Sequence, residues 1–104
     1  MTTFDERQKQ FETKFAKDQE TRFKVEARRD KIVGHWAAGQ LGKTGTDAED
    51  YVKTIIRADL EEAGSEDVFR RLRADLPEGD VSEDAIRQAM ADALSQAMDE
   101  LGVS

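Results

Sequence analysis

The stretch TDAEDYVKTIIRADLEEAG, from Thr46 to Gly64, decides the fold. Ala48, Tyr51, Val52, Ile55, Ile56, Leu60 and Ala63 recur at three- and four-residue spacing, which lays a broad apolar stripe along one side of a helix. Thr46 is the expected N-cap, with Glu49 three residues on completing a capping box. Gly64 is the expected C-terminal cap, because glycine enters the left-handed region without steric cost. A stripe this wide is stable only when other elements cover it.

Cover is available on both sides. Downstream, Ser65 predicts the start of a short helix with Val68, Phe69 and Leu72 on its apolar face. It closes at Leu76, since Pro77 pushes the preceding residue out of the helical region. Another helix starts between Asp80 and Ser82. Ala85, Ile86, Ala89, Met90, Ala93, Leu94, Ala97, Met98 and Leu101 recur along it at helical spacing, and Gly102 ends it. Upstream, Phe23, Val25, Ala27, Ile32, Val33, Trp36, Ala37 and Leu41 read as core, and the helix stops near Leu41 among Gly34, Gly39, Gly42 and Gly45. No stretch alternates apolar and polar over a strand length. The expected class is all-α: a small four-helix bundle over residues 19–104, carrying a long, partly mobile helical arm at residues 1–18.

Composition limits the chemistry. The 104 residues suit one domain, and the absence of cysteine excludes disulfides, thiolate metal sites and a cysteine nucleophile. The polar, acidic start and the lack of a long apolar run predict a cytoplasmic protein with no membrane insertion. Residues 1–31 hold nine Lys/Arg against seven Asp/Glu, a net +2, whereas the other 73 hold seven against sixteen, a net −9. An acidic body argues against nucleic acid, which demands a basic footprint.

The arm carries its own signal. Thr3 with Glu6 forms a capping box, and Asp5/Lys9, Asp18/Arg22 and Glu20/Lys24 pair at i,i+4 in the favoured order. Phe4, Phe11 and Phe15 fall on a ridge about 40° wide at 100° per residue. That is narrower than the stripe of a core-facing helix. It suits insertion into a groove on another protein. The same row could fold back on the bundle or pair with a second copy. Stepping by seven from Phe4 and Phe11 reaches Asp18 and Val25, which breaks a coiled-coil seam and favours a monomer when free. Docking three phenylalanines gains about 5–9 kcal/mol. Ordering a dozen residues from coil costs about 1–2 kcal/mol each. The expected partner therefore offers a long, deep cleft. Free in water the arm is expected to fray, with stable helix from about Thr21.

Catalytic residues are few. His35 stands alone beside Trp36, and convergent metal ligands are absent. The segment from Ala37 to Thr44 approaches a phosphate-binding loop, but Ala37 stands where glycine is required and a helix precedes it instead of a strand. Gly42, Lys43 and Thr44 ahead of a helix could still offer amides and an ammonium to phosphate. Asp47, Glu49 and Asp50 oppose this by charge. A plain glycine turn with a solvent lysine is the other reading.

Phe4-Asp5-Glu6-Arg7, Lys14-Phe15-Ala16, Phe23 to Arg29, Trp36 to Gly45 and Glu66 to Arg70 resemble the zeta subunit family of alphaproteobacterial F-type ATP synthases. The likeness covers residues 3 to about 76, with Trp36 to Gly45 and Asp67-Val68-Phe69 its most specific parts. It implies a non-enzymatic inhibitor that binds the alpha, beta and gamma subunits of the catalytic head and blocks ATP hydrolysis. The N-terminal helix would enter a catalytic subunit interface toward the rotor stalk. Carried onto this chain, the partner contacts fall on Phe4, Arg7, Phe11, Lys14 and Phe15. The family likeness also implies ADP or ATP as a regulatory ligand, for which Trp36, Lys43 and Thr44 are the candidates. An adenine-nucleotide sensor and a generic helical adaptor are the rival functions.

Overall fold

The computed structural model describes residues 19–61 and 66–102. The expectations at Thr3, residues 1–18, Ala63, Gly64 and Ser65 lie outside them. Four helices follow in order: α1 (Gln19–Gln40), α2 (Gly45–Glu61), α3 (Glu66–Asp75) and α4 (Glu83–Glu100). The all-α expectation holds, and no strand occurs among the described residues. α1 packs on both α2 and α4, and α3 bridges α2 and α4, which closes the four into a ring.

The core explains the sequence pattern. Tyr51, Val52 and Ile55 of α2 are buried with Val68, Phe69 and Leu72 of α3 and Ile86, Met90, Ala91 and Ala93 of α4. On α1 the buried positions are Val25, Arg29, Val33 and Ala37, each one helical turn from the next, joined by Asp30, Gly34 and Ala38. Four residues read as apolar face are exposed: Phe23, Leu60, Ala85 and Leu101. Phe23 lies two residues, about 200°, from Val25 and so faces away; it is 60 % exposed. Leu60 lies about 180° from Tyr51 and 140° from Ile55, and is 63 % exposed. Leu101, in the C-cap position beyond α4, is also exposed.

α1 and α2 touch closely at Gly34. A Cβ there would stand 3.2 Å from the Cα and Cγ2 of Val52, so the helices approach more tightly than an alanine would leave room for. α1 then ends in a Schellman turn. The Lys43 N–H donates to Ala38 O at 2.9 Å and the Gly42 N–H to Gly39 O at 3.1 Å, with Gly42 at φ +72°. α2 begins at Gly45, one residue ahead of the expected start. The Ala48 N–H reaches Thr44 O at 3.4 Å, so Thr44 stands at the entrance and Thr46 sits inside the first turn.

The other boundaries match the reading more closely. α3 ends at Asp75, with the Leu76 N–H donating to Leu72 O just before Pro77. Ser82 is the N-cap of α4, its Oγ accepting from the Ala85 N–H at 3.1 Å. Arg73 fastens the turn between them, donating from Nη2 to Leu76 O at 2.9 Å and to Val81 O at 2.8 Å. A guanidinium satisfying two loop carbonyls fixes the path into α4.

Candidate partner-binding surface

Three contacts fix which ends of the helices lie together. Gly34 faces Val52, and Arg29 reaches Asp59, so α1 and α2 run antiparallel. Arg28 of α1 binds Glu100 at the end of α4, Nη2 to Oε1, at 2.6 Å. The start of α1, the end of α2 and the end of α4 therefore share one end of the bundle. Phe23, Leu60 and Leu101 are the large hydrophobic side chains exposed among the described residues, and all three belong to this end. Residues 1–18 join α1 here. Single exposed apolar side chains are ordinary on a protein surface, but three gathered at one end form a candidate contact area.

The rim of this end is charged. Arg22 pairs with Glu26 at 3.0 Å and Lys24 with Glu20 at 3.4 Å, both along α1 at i,i+4. The Glu100 carboxyl is held below its usual range by a hydrogen bond from Gln96, aided by Arg28. Phe4, Arg7, Phe11, Lys14 and Phe15, the expected partner contacts, lie outside the described residues.

The expected nucleotide residues are spread over the opposite end. Trp36 is half-buried, packed against the core, and Lys43 and Thr44 are exposed in the turn between α1 and α2. The Schellman turn commits the Gly42 and Lys43 amides to carbonyls of α1. Two of the donors that a phosphate would use are therefore already engaged. His35 is exposed on α1. Among the described residues no group of His, Cys, Asp or Glu could hold a metal ion.

A shallow groove of about 390 Å³ lies between α2 and α3, lined by Thr54, Arg57, Ala58, Asp67, Arg70 and Arg71. Arg70 pairs with Asp67, and Arg71 with Asp75 at 2.7 Å. Asp75 also accepts from the Tyr51 hydroxyl at 2.9 Å; burial, then this bond, raise the phenol above its ordinary value. On the far side of α3, Arg87 stacks over Phe69 at 3.7 Å and binds Glu66 at 2.9 Å. These ties join α3 to its neighbours on both sides.

The family model described as ATPase inhibitor subunit zeta matches residues 1–100. The chain belongs to this zeta family. A search of curated proteins gives no match. The match takes in residues 1–18 as well as α1 to α4. A zeta protein is an ATPase inhibitor subunit, which agrees with the resemblance that the motifs carry. No helix among the described residues is long and apolar enough to cross a membrane.

One feature of this zeta chain was missed in the sequence. Arg29 and Asp30 are buried on α1, at 0 % and 1 % exposure. The signal was present: Arg29 falls one turn from Val25 and one turn from Val33, inside an otherwise apolar row.

Proposed function

We propose that this zeta chain restrains ATP hydrolysis by inserting residues 1–18 into a catalytic interface between alpha and beta subunits of the F-type ATP synthase head. The helix would project toward the gamma subunit and block rotation in the hydrolytic direction by its bulk. The family match across residues 1–100 carries this reading. The Phe4, Phe11 and Phe15 ridge supplies the apolar contact with the cleft, with Arg7 and Lys14 beside it. The bundle, residues 19–104, carries the arm and acts as a stop at the mouth of the cleft. Phe23, Leu60 and Leu101 suit that place, because they are exposed at the end of the bundle where α1 begins. The complex would sit on the cytoplasmic face of the membrane-bound synthase.

Deleting residues 1–18 tests the reading. The bundle should retain its helical circular dichroism and cooperative melting, while inhibition of ATP hydrolysis by the isolated catalytic head should vanish. Joint replacement of Phe4, Phe11 and Phe15 by alanine should weaken binding far more than charge reversal at Asp5 or Glu12. A truncated chain that inhibits as well as the full one would refute the role given to the arm. Regulation by ADP or ATP at Trp36, Lys43 and Thr44 is the weaker reading, given the engaged turn amides. Amide shifts centred on Gly39 to Thr46 with ADP, removed by Lys43→Ala, would support it.

A further inference from the structure

The interface between α1 and α2 encloses two acids around one base. Arg29 donates from Nε and Nη2 to Asp30 Oδ1, at 3.1 and 2.9 Å, and from Nη2 to Asp59 Oδ1 at 3.4 Å. Arg29 and Asp30 are sealed from solvent, whereas the Asp59 side chain keeps 12 % of its exposure. Among the described residues, Arg29 Nη1 and Asp30 Oδ2 are buried with no hydrogen-bond partner. With both carboxyls ionised the cluster would carry a net negative charge inside the bundle. Burying an uncompensated charge is costly, and a proton on one carboxyl removes it.

Among the described residues, the neighbouring groups do not supply the missing positive charge. On α1, Arg28 is engaged by Glu100 of α4 and Arg22 by Glu26. α4 presents Leu94 and Ala97 to Val25 at this level, besides Glu100 itself. α2 presents Asp59, and α3 packs against α2 and α4 rather than α1.

We propose that Asp30 and Asp59, gathered by Arg29 across the α1–α2 contact, form a buried proton-binding site whose occupancy sets how firmly α1 is seated on the bundle. With the proton in place the cluster is neutral and the contact is tight. When it leaves, two carboxylates confront one guanidinium and the contact loosens. The partly open Asp59 gives the proton its route to solvent. Because residues 1–18 continue directly into α1, the seating of α1 is also the anchorage of that segment.

Burial above all, against the downward pull of Arg29 and with the hydrogen bond and charge of Asp59 adding to it, raises the Asp30 carboxyl to about 9. Its ordinary value is 3.8. The folded chain thus binds more protons than the unfolded chain between these limits, so stability falls as pH rises through that window and is level above it. The unfolding constant should rise up to about tenfold per pH unit from this site alone.

The test compares the full chain with Asp30→Asn, whose amide stays neutral and can donate to Asp59. Urea unfolding from pH 5 to 8 should show the wild type losing stability relative to the variant, by up to about tenfold in unfolding constant per pH unit. Parallel pH profiles would overturn the proposal. Side-chain carboxyl ¹³C titration of the wild type reads the site directly and does not depend on the variant folding. Asp30 should titrate well above the ordinary carboxylate range, and its midpoint should fall in Asp59→Asn. An Asp30 midpoint near 4 in the wild type would overturn the proposal whatever the variants do.

Discussion

Replacing Gly34 by alanine sets two effects against each other within one helix. Alanine is favoured over glycine in a helix interior by about 0.8–1 kcal/mol. Against this, the new Cβ would lie 3.2 Å from both Cα and Cγ2 of Val52. The valine methyl can turn aside, but the Cα is backbone and moves only if α2 shifts. Overpacking of that kind costs about 1–3 kcal/mol. The expected net effect is a loss of about 0–2 kcal/mol. Gly39→Ala supplies the comparison, since a Cβ there meets nothing within 4 Å. The propensity gain is similar at both sites, so the difference between the variants isolates the helix contact. Gly34→Ala should be less stable than Gly39→Ala by about 1–3 kcal/mol. In a chain of this size each kcal/mol moves the melting temperature by about 4–8 °C. Thermal melts followed by circular dichroism would read the gap. A Gly34→Ala protein as stable as Gly39→Ala would refute the close approach of α1 and α2.

Leu72→Ala empties a fully buried position on α3 and should cost about 2–5 kcal/mol in urea unfolding. Arg73→Ala removes both donors to the Leu76 and Val81 carbonyls. It should cost about 1–3 kcal/mol and raise amide exchange at Asp80 and Val81, whose N–H groups bond Pro77 O. Ser82→Ala removes the α4 cap and should cost about 0.5–2 kcal/mol. Phe23→Ser and Leu60→Ser should change stability by less than about 0.5 kcal/mol, because neither side chain is in the core. If Phe23 and Leu60 belong to the docking surface, the same changes should weaken inhibition of the catalytic head.

The helices and their order were legible because α2, α3 and α4 each bury a single stripe. The start of α4 was readable only as a range from Asp80 to Ser82; that Ser82 is the cap follows from its Oγ accepting from the Ala85 N–H. α1 was harder. It makes the two most extensive contacts in the ring, with α2 and α4, and its buried positions include Arg29 and Asp30. A charged pair reads as solvated in one dimension, and only Arg29's register with Val25 and Val33 hinted otherwise. Phe23 and Leu60 misled in the opposite sense: they look like core by composition but face away. The Gly42 turn was visible as a break. Its consumption of the Gly42 and Lys43 amides, which bears on phosphate binding, follows from geometry alone. The family likeness reached residues 1–18 through motifs, which no spacing rule supplies.

The ring of helices closes late along the chain. Val25 is covered by Leu94 and Ala97, and Arg28 meets Glu100, 72 residues further on. During synthesis the first helix must therefore wait, its apolar row uncovered, until the last one has left the ribosome. Contacts of such long sequence separation form slowly relative to local helix. A nascent zeta chain would thus present residues 1–18 before it had a finished body to hold them, and fragments broken off short of α4 would lack a folded seat for that segment altogether.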